Sequence, residues 1–212
     1  TVYNLIYYAP VVILACGVYL NSTIIVGDVF LPRGPVSFAR AEYLSDNLRS
    51  LGLDLRRFKT GTPARIDGNS VDYSSLELQE GESDIYSFSV MSRKGNAKKR
   101  VCYLGYTNEN THEIIRKNLN LAPKYAGLID GVGPRYCPSI EDKVVRFADK
   151  ERHQFFLEPE GEGTVEAYVQ GISTSLPASV QYDLYRSIKG FENVKIMRDA
   201  YAIEYDCVNP LE

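Results

Sequence analysis

The stretch Gly133-Pro134-Arg135-Tyr136-Cys137-Pro138-Ser139-Ile140-Glu141-Asp142-Lys143 sets a thiol, a guanidinium, two carboxylates and an ammonium within a short run. Two prolines, Pro134 and Pro138, flank the cysteine, so its local backbone has little freedom. If Arg135 and Lys143 sit close to the thiol, they lower its pKa from about 8.5 toward neutrality and make a thiolate nucleophile available. Glu141 and Asp142 oppose that effect or hold the cations in place. The same residues also admit a plain reading, a structural cysteine on a proline-bounded turn, because free cysteine commonly behaves as a small buried hydrophobe.

Other chemistry-bearing groups are sparse. Four cysteines at 16, 102, 137 and 207 form no Cys-x-x-Cys pair and no zinc spacing. In a chain of this size they read as reduced thiols of a cytoplasmic protein. With only His112 and His153, a histidine-rich metal site is implausible and a Ser-His-Asp triad has few candidates. His112 is expected on the surface of a helix. Arg56 to Arg65 mixes cations with Thr60, Gly61 and Thr62 and reads as a loop that can offer backbone N–H groups and charge to a phosphate, or as a solvated turn. Arg93 to Arg100 is the densest basic run, either a solvated hairpin tip or an RNA-phosphate patch. Glu158 to Gly163 is acidic but lacks EF-hand spacing.

These groups must be carried by a fold. The 212 residues suffice for one or two domains with a sizeable core. The net charge of −3 gives no global sign of nucleic-acid binding. Leu5 to Leu20 is apolar but is broken by Pro10 and Gly17, too short for a spanning helix, so no membrane association is expected.

Val11 to Ala15 reads as a buried strand of a mainly parallel sheet, and Thr23 to Gly27 as a second strand. Ser37 is expected to cap a helix carrying Phe38, Ala41, Leu44, Leu48 and Leu51, which Gly52 ends. Asp67 to Asp84 reads as loop, and Ile85 to Val90 and Val101 to Tyr106 as strands. A helix opens at Asn110 with an Asn cap.

Val144 to Phe147 and His153 to Leu157 are short apolar segments, and Thr164 to Val169 is a strand. Ser175 is expected to cap a helix with Val180, Leu184 and Ile188 on one face, closed by Gly190. Val194 to Met197 and Tyr201 to Tyr205 finish as strands. The alternation argues an α/β fold with an antiparallel portion between residues 85 and 170.

The residues Gly133-Pro134-Arg135-Tyr136-Cys137-Pro138-Ser139-Ile140-Glu141-Asp142-Lys143-Val144-Val145-Arg146-Phe147 resemble the signature of the MnmG (GidA) family. So do, in the family's order, Leu14 to Asn21, Lys59-Thr60-Gly61-Thr62-Pro63, Phe156 to Gly161, Gly171 to Pro177 and Tyr201 to Asp206. The family consists of FAD-dependent enzymes that add a carboxymethylaminomethyl or aminomethyl group at carbon 5 of the tRNA wobble uridine.

The resemblance implies part of a Rossmann-like FAD-binding domain with an inserted mixed α/β nicotinamide-binding domain. Residues 1–63 would end the first FAD-domain segment, 64–198 form the insert, and 199–212 return to the FAD domain. It implies that Cys137 is the nucleophile and that Gly133 to Phe147, each residue of that run included, form the nicotinamide-binding segment. The implied cofactors are FAD and NADH, with a folate one-carbon donor as co-substrate. The implied partners are tRNA, an MnmE-type GTPase and a second copy in a homodimer, all in the cytoplasm. No Gly-x-Gly-x-x-Gly occurs in the chain, so the loop that lets a backbone approach the FAD pyrophosphate is missing. The chain therefore resembles an internal fragment, and the alternative to the enzyme is an isolated non-catalytic module that binds nucleotide, RNA or a partner.

Overall fold

Two antiparallel sheets organise the chain. The computed structural model describes residues 4–81, 90–91, 101–133 and 137–211. The first sheet uses β1 (Thr23–Val26), β2 (Val29–Leu31), β3 (Leu55–Thr62) and β10 (Tyr201–Val208), in the order β2-β1-β10-β3. The second uses β4 (Arg65–Asp67), β5 (Glu77–Gln79), β6 (Cys102–Tyr106), β7 (Gln154–Pro159), β8 (Glu166–Gln170) and β9 (Ile196–Arg198), in the order β5-β6-β7-β8-β4-β9. The chain leaves the first sheet through Pro63–Ala64 and re-enters it through Asp199–Ala200.

The fold is mixed α/β, as the alternation of elements suggests, but the pairing is antiparallel throughout the named strands. The expected parallel strand at Val11 to Ala15 is not formed. Val11 is 73% and Ile13 87% exposed, and the run joins no ladder among the described residues. Its apolar composition satisfies a buried strand's side chains but supplies no partner for its backbone.

Four helices complete the described structure: α1 (Leu44–Ser50), α2 (Glu109–Lys117), α3 (Ile140–Arg146) and α4 (Ala178–Arg186). Helix α1 starts later than expected because Ser37 cannot cap it. Val36 and Ser37 sit at φ 55 and 61 in a short 3₁₀ turn. Ala41 is then held beside the chain at Tyr19 and Asn21 by two backbone hydrogen bonds, which draws the intervening residues out of the helix. Gly52, at φ 89, follows the helix as expected.

The cap of α2 is Asn108 rather than Asn110. Its Oδ1 accepts from Thr111 N at 3.0 Å, while its Nδ2 donates to the Ser187 carbonyl at 2.7 Å. Ser175 likewise does not cap α4, because its carbonyl takes Gly27 N at 2.7 Å and its N–H faces Glu141. Val144 to Phe147, expected as a short apolar segment, belongs largely to α3. Asp67 to Asp84, as far as it is described, contains 3₁₀ turns at Gly68–Ser70 and Tyr73–Ser75, each capped by an Asp side chain, and the edge strand β5. The expected strand at Ile85 to Val90 lies largely outside the described residues.

Helices α2, α3 and α4 pack together over the second sheet. The core joins Ile115, Ile140, Val144, Val180, Leu184 and Ile188 to Ile66, Phe155, Leu157 and Val169 from the strands. Alternation along β7 and β8 turns Phe155 with Leu157, and Ala167 with Val169, into this core. Each large side chain removed from water here contributes about 1.5–3 kcal/mol. Phe155 packs edge-on to Phe191, with ring centroids 5.3 Å apart. A Cβ on Gly105 would lie 2.3 Å from Phe155 Cζ, so the neighbouring strand must carry glycine there.

Candidate functional site

The expected loop from Arg56 to Arg65 is mostly the long strand β3, paired in register with β10 from Leu55↔Val208 to Thr62↔Tyr201. Its backbone groups are therefore committed to the ladder and to a bridge with Val132, and do not form an anion-binding loop. What the strand offers instead are side chains. Arg57 and Lys59 lie on one face with their cross-strand neighbours Asp206 and Glu204. Arg57 Nη1 donates to Asp206 Oδ1 at 3.1 Å and its Nε lies 3.9 Å from Glu204 Oε2. Glu204 Oε1 accepts from Gly131 N at 2.5 Å, fixing the glycine segment against the strand.

Next along the strand, Thr60 meets the cysteine: its Oγ1 lies 3.6 Å from Cys137 Sγ. Cys137 is exposed, so the plain reading of a buried structural thiol does not hold. Pro134, Arg135 and Tyr136 lie outside the described residues, and with them the expected role of Arg135 beside the thiol.

Downstream, Ser139 caps α3, its Oγ accepting from Asp142 N at 3.3 Å. The residues from Ser139 to Phe147 then divide by helical position. Ile140 and Val144 are core residues, whereas Val145 and Phe147 are 43% and 49% exposed. Glu141 turns inward, 1% exposed, and its Oε1 accepts from the Thr174 hydroxyl and, at 3.3 Å, from Ser175 N. With Ile140 N donating to the Ser173 carbonyl at 2.8 Å, this clamps α3 onto the Gly171 to Pro177 loop. Glu141 is thus a structural anchor, and it pairs with no cation among the described residues.

Asp142 does hold one. Its Oδ1 accepts from Lys124 Nζ at 2.6 Å and from the Tyr125 hydroxyl at 3.0 Å. Burial pushes the Asp142 pKa up, but these bonds and the fields of Lys124 and Lys59 outweigh it and keep the carboxyl below its ordinary range. Lys143 reaches back to donate to the Gly171 carbonyl at 2.8 Å. Burial pulls its pKa down and outweighs the field of Cys137, which acts the other way.

These elements enclose a cavity of about 290 Å³, bordered by Lys59, Lys124, Gly133, Cys137, Asp142 and Arg146. Of the cofactor segment anticipated from sequence, Gly133, Cys137, Pro138, Asp142 and Arg146 line it. Sequence reasoning missed Lys124 and its neighbour Tyr125, whose only local signal was a short Pro-Lys-Tyr run in a turn. It also misplaced His112, which is 1% exposed, with Nε2 2.7 Å from the Thr107 hydroxyl and its ring 5.0 Å from that of His153. Burial lowers the pKa of both histidines. The basic run at Arg93 to Arg100 lies outside the described residues. Among the described residues no group of three or more His, Cys, Asp or Glu is placed to hold a metal ion, and no helix is long and apolar enough to cross a membrane.

Fold and site together define a mixed α/β protein with an accessible thiol beside a cation-lined cavity. The family profile of Glucose inhibited division protein A (GIDA) matches residues 1–212, and the chain belongs to that family. It is 55% identical over 207 residues to the tRNA uridine 5-carboxymethylaminomethyl modification enzyme MnmG of Caldicellulosiruptor saccharolyticus, covering 98% of this chain and 33% of the relative. It is 53% identical over 209 residues to the MnmG of Lachnoclostridium phytofermentans, with the same coverage. Among solved structures, Aquifex aeolicus GidA in its form II crystal superposes with a TM-score of 0.82 at 48% identity, over 93% of this chain and 32% of that one. The chain thus spans about a third of the length of the relatives it matches.

Proposed function

We propose that this chain is an internal part of an MnmG-type enzyme that adds a carboxymethylaminomethyl or aminomethyl group at carbon 5 of the tRNA wobble uridine. The observation that carries the reading is the exposed Cys137 thiol, set 3.6 Å from Thr60 where the cysteine block meets β3, at the edge of a cavity lined by cations. The printed function of relatives at 55% and 53% identity supports it.

In this reading the Cys137 thiolate adds to carbon 6 of the uracil ring. A carbon–sulfur bond forms, the ring double bond's electron pair moves toward the carbonyl at carbon 4, and carbon 5 becomes nucleophilic toward a folate-derived one-carbon unit. The thiolate leaves when carbon 5 loses its proton. Thr60 sits close enough to orient the sulfur.

A nicotinamide nucleotide fits the Gly133 to Phe147 segment where that segment borders the cavity, because Gly133 lets a cofactor come close and Arg146 supplies charge for its phosphates. When bound, NADH supplies hydride to the flavin. The FAD itself would rest mainly on residues beyond this chain, since its pyrophosphate loop is not among the 212 residues. The division between the two sheets supports the proposed boundaries, with 64–198 as an insert between two flanking segments; that the insert binds nicotinamide and the flanks belong to a Rossmann-like FAD domain is the family's part of the reading. An MnmE-type GTPase partner, a homodimeric assembly and a cytoplasmic location complete the reading.

The test is nucleoside mass spectrometry on tRNA treated with the full-length protein and its Cys137→Ser variant. Loss of the wobble product with retained NADH binding is the expected result. Undiminished product from the variant would remove Cys137 from the chemistry.

A further inference from the structure

The hydrogen bonds described above leave the Lys59 ammonium at the cavity wall unexplained. The residue is 7% exposed, yet no carboxylate among the described residues lies within 4 Å of its ammonium and no hydrogen bond engages it. Its cross-strand neighbour Glu204 is turned to Gly131 N and to Arg57. Asp142, which senses the field of Lys59, is bonded to Lys124 and Tyr125. Arg146, on the cavity wall, is likewise in no ion pair among the described residues. Three cations therefore face one carboxylate that is already engaged, which leaves a surplus of two positive charges around 290 Å³. A buried, uncompensated ammonium is costly to fold around unless a bound partner recovers the interaction.

We infer that Lys59 is a ligand-binding residue: with Lys124 and Arg146 it seats the diphosphate of a nucleotide in the cavity beside Cys137. Two negative charges on a diphosphate bridge match the two uncompensated positive charges. Lysine suits the task because its point charge can follow either phosphoryl group. The inference rests on the nicotinamide-binding reading of the Gly133 to Phe147 segment and assigns its phosphate contact to a strand of the other sheet, outside that segment.

The test follows alkylation of Cys137 by iodoacetamide in the full-length protein, read by mass spectrometry of the peptide that contains it. NADH and inorganic pyrophosphate are titrated separately as protectants. In the wild type both should slow alkylation saturably. Lys59→Met should raise the half-protecting concentration of each by about tenfold or more, while Lys59→Arg stays near wild type.

Equal protection of wild type and Lys59→Met by NADH overturns the role of Lys59 while leaving the nicotinamide reading intact. Protection by pyrophosphate alone, lost in Lys59→Met, supports the diphosphate seat and overturns the nicotinamide reading. Absence of protection by both overturns both. Should Lys59→Met fail to fold, by circular dichroism, the wild type decides: protection by pyrophosphate that weakens steeply with salt supports the seat, and salt-independent protection refutes it.

Discussion

Replacing Tyr185 with Phe tests whether a single buried hydroxyl ties the two sheets' junction to the loop beneath the site. Tyr185 is 0% exposed on α4. Its hydroxyl accepts from Ala64 N at 3.0 Å, at the crossing between β3 and β4, and donates to the Ile172 carbonyl at 3.1 Å in the loop that clamps α3. Tyr185→Phe keeps the ring and its packing, so the change isolates the two bonds. Ala64 is itself 0% exposed, so its N–H would be left without an acceptor. Losing two net hydrogen bonds at about 1 kcal/mol each, with part of the desolvation penalty of the orphaned N–H, gives about 2–3 kcal/mol. That is a loss of roughly thirtyfold to a hundredfold or more in the local closing equilibrium, read by native-state hydrogen exchange of peptides spanning Ala64 and Ile172. A change below about 0.5 kcal/mol at Ala64 would refute the reasoning. Burial also pushes the Tyr185 pKa well upward. The unfolded chain then releases this proton first, near pH 10, so the contribution is whole below pH 10 and falls as pH rises above it. The Phe variant should lose that alkaline decline.

Further outcomes follow from the same geometry. Burial lowers the pKa of His112 and His153, so the unfolded chain binds protons first. Their contribution to stability is complete above about pH 6.5 and is lost as pH falls toward their lower folded values; His112→Gln should flatten part of that acid-side loss in melting temperature. Lys143→Met removes the ammonium that donates to the Gly171 carbonyl and should cost about 1–2 kcal/mol in denaturant unfolding; an unchanged midpoint would show that this bond adds nothing net. Gly105→Ala would drive a methyl into the Phe155 ring and should cost about 1–3 kcal/mol in denaturant unfolding, whereas the exposed Cys137→Ser should stay within about 0.5 kcal/mol of wild type.

Local signals in the sequence carried much of the architecture. The strands expected at Val101 to Tyr106 and Thr164 to Val169 fall on β6 and β8, and in β8 the period of two turns Ala167 and Val169 to the core. The four-residue spacing of Val180, Leu184 and Ile188 marked the buried face of α4 for the same kind of reason. Cys137 could be singled out from its charged, proline-bounded setting, and the family from motifs spread along the chain.

Pairing and burial were not legible in this way. Val11 to Ala15 has the composition of a buried strand, but strand formation needs a partner's backbone, and none is supplied by the described residues. Arg56 to Arg65 looks like a cationic loop until β10 arrives from the far end of the chain to pair with it. Ser37, Asn110 and Ser175 have the chemistry of caps, yet left-handed backbone at Ser37, a better-placed Asn108, and competing bonds from Gly27 and Glu141 settle the helix starts elsewhere. The cavity is the clearest case. Residue types alone do not reveal that Asp142 is spent on Lys124 and Tyr125 while Lys59 is buried with no partner for its ammonium among the described residues, because hydrogen bonds and desolvation depend on distances between segments far apart in the chain. The sequence determined which groups were present; their surplus of positive charge beside the thiol exists only once β3, the glycine segment and α3 are folded against one another.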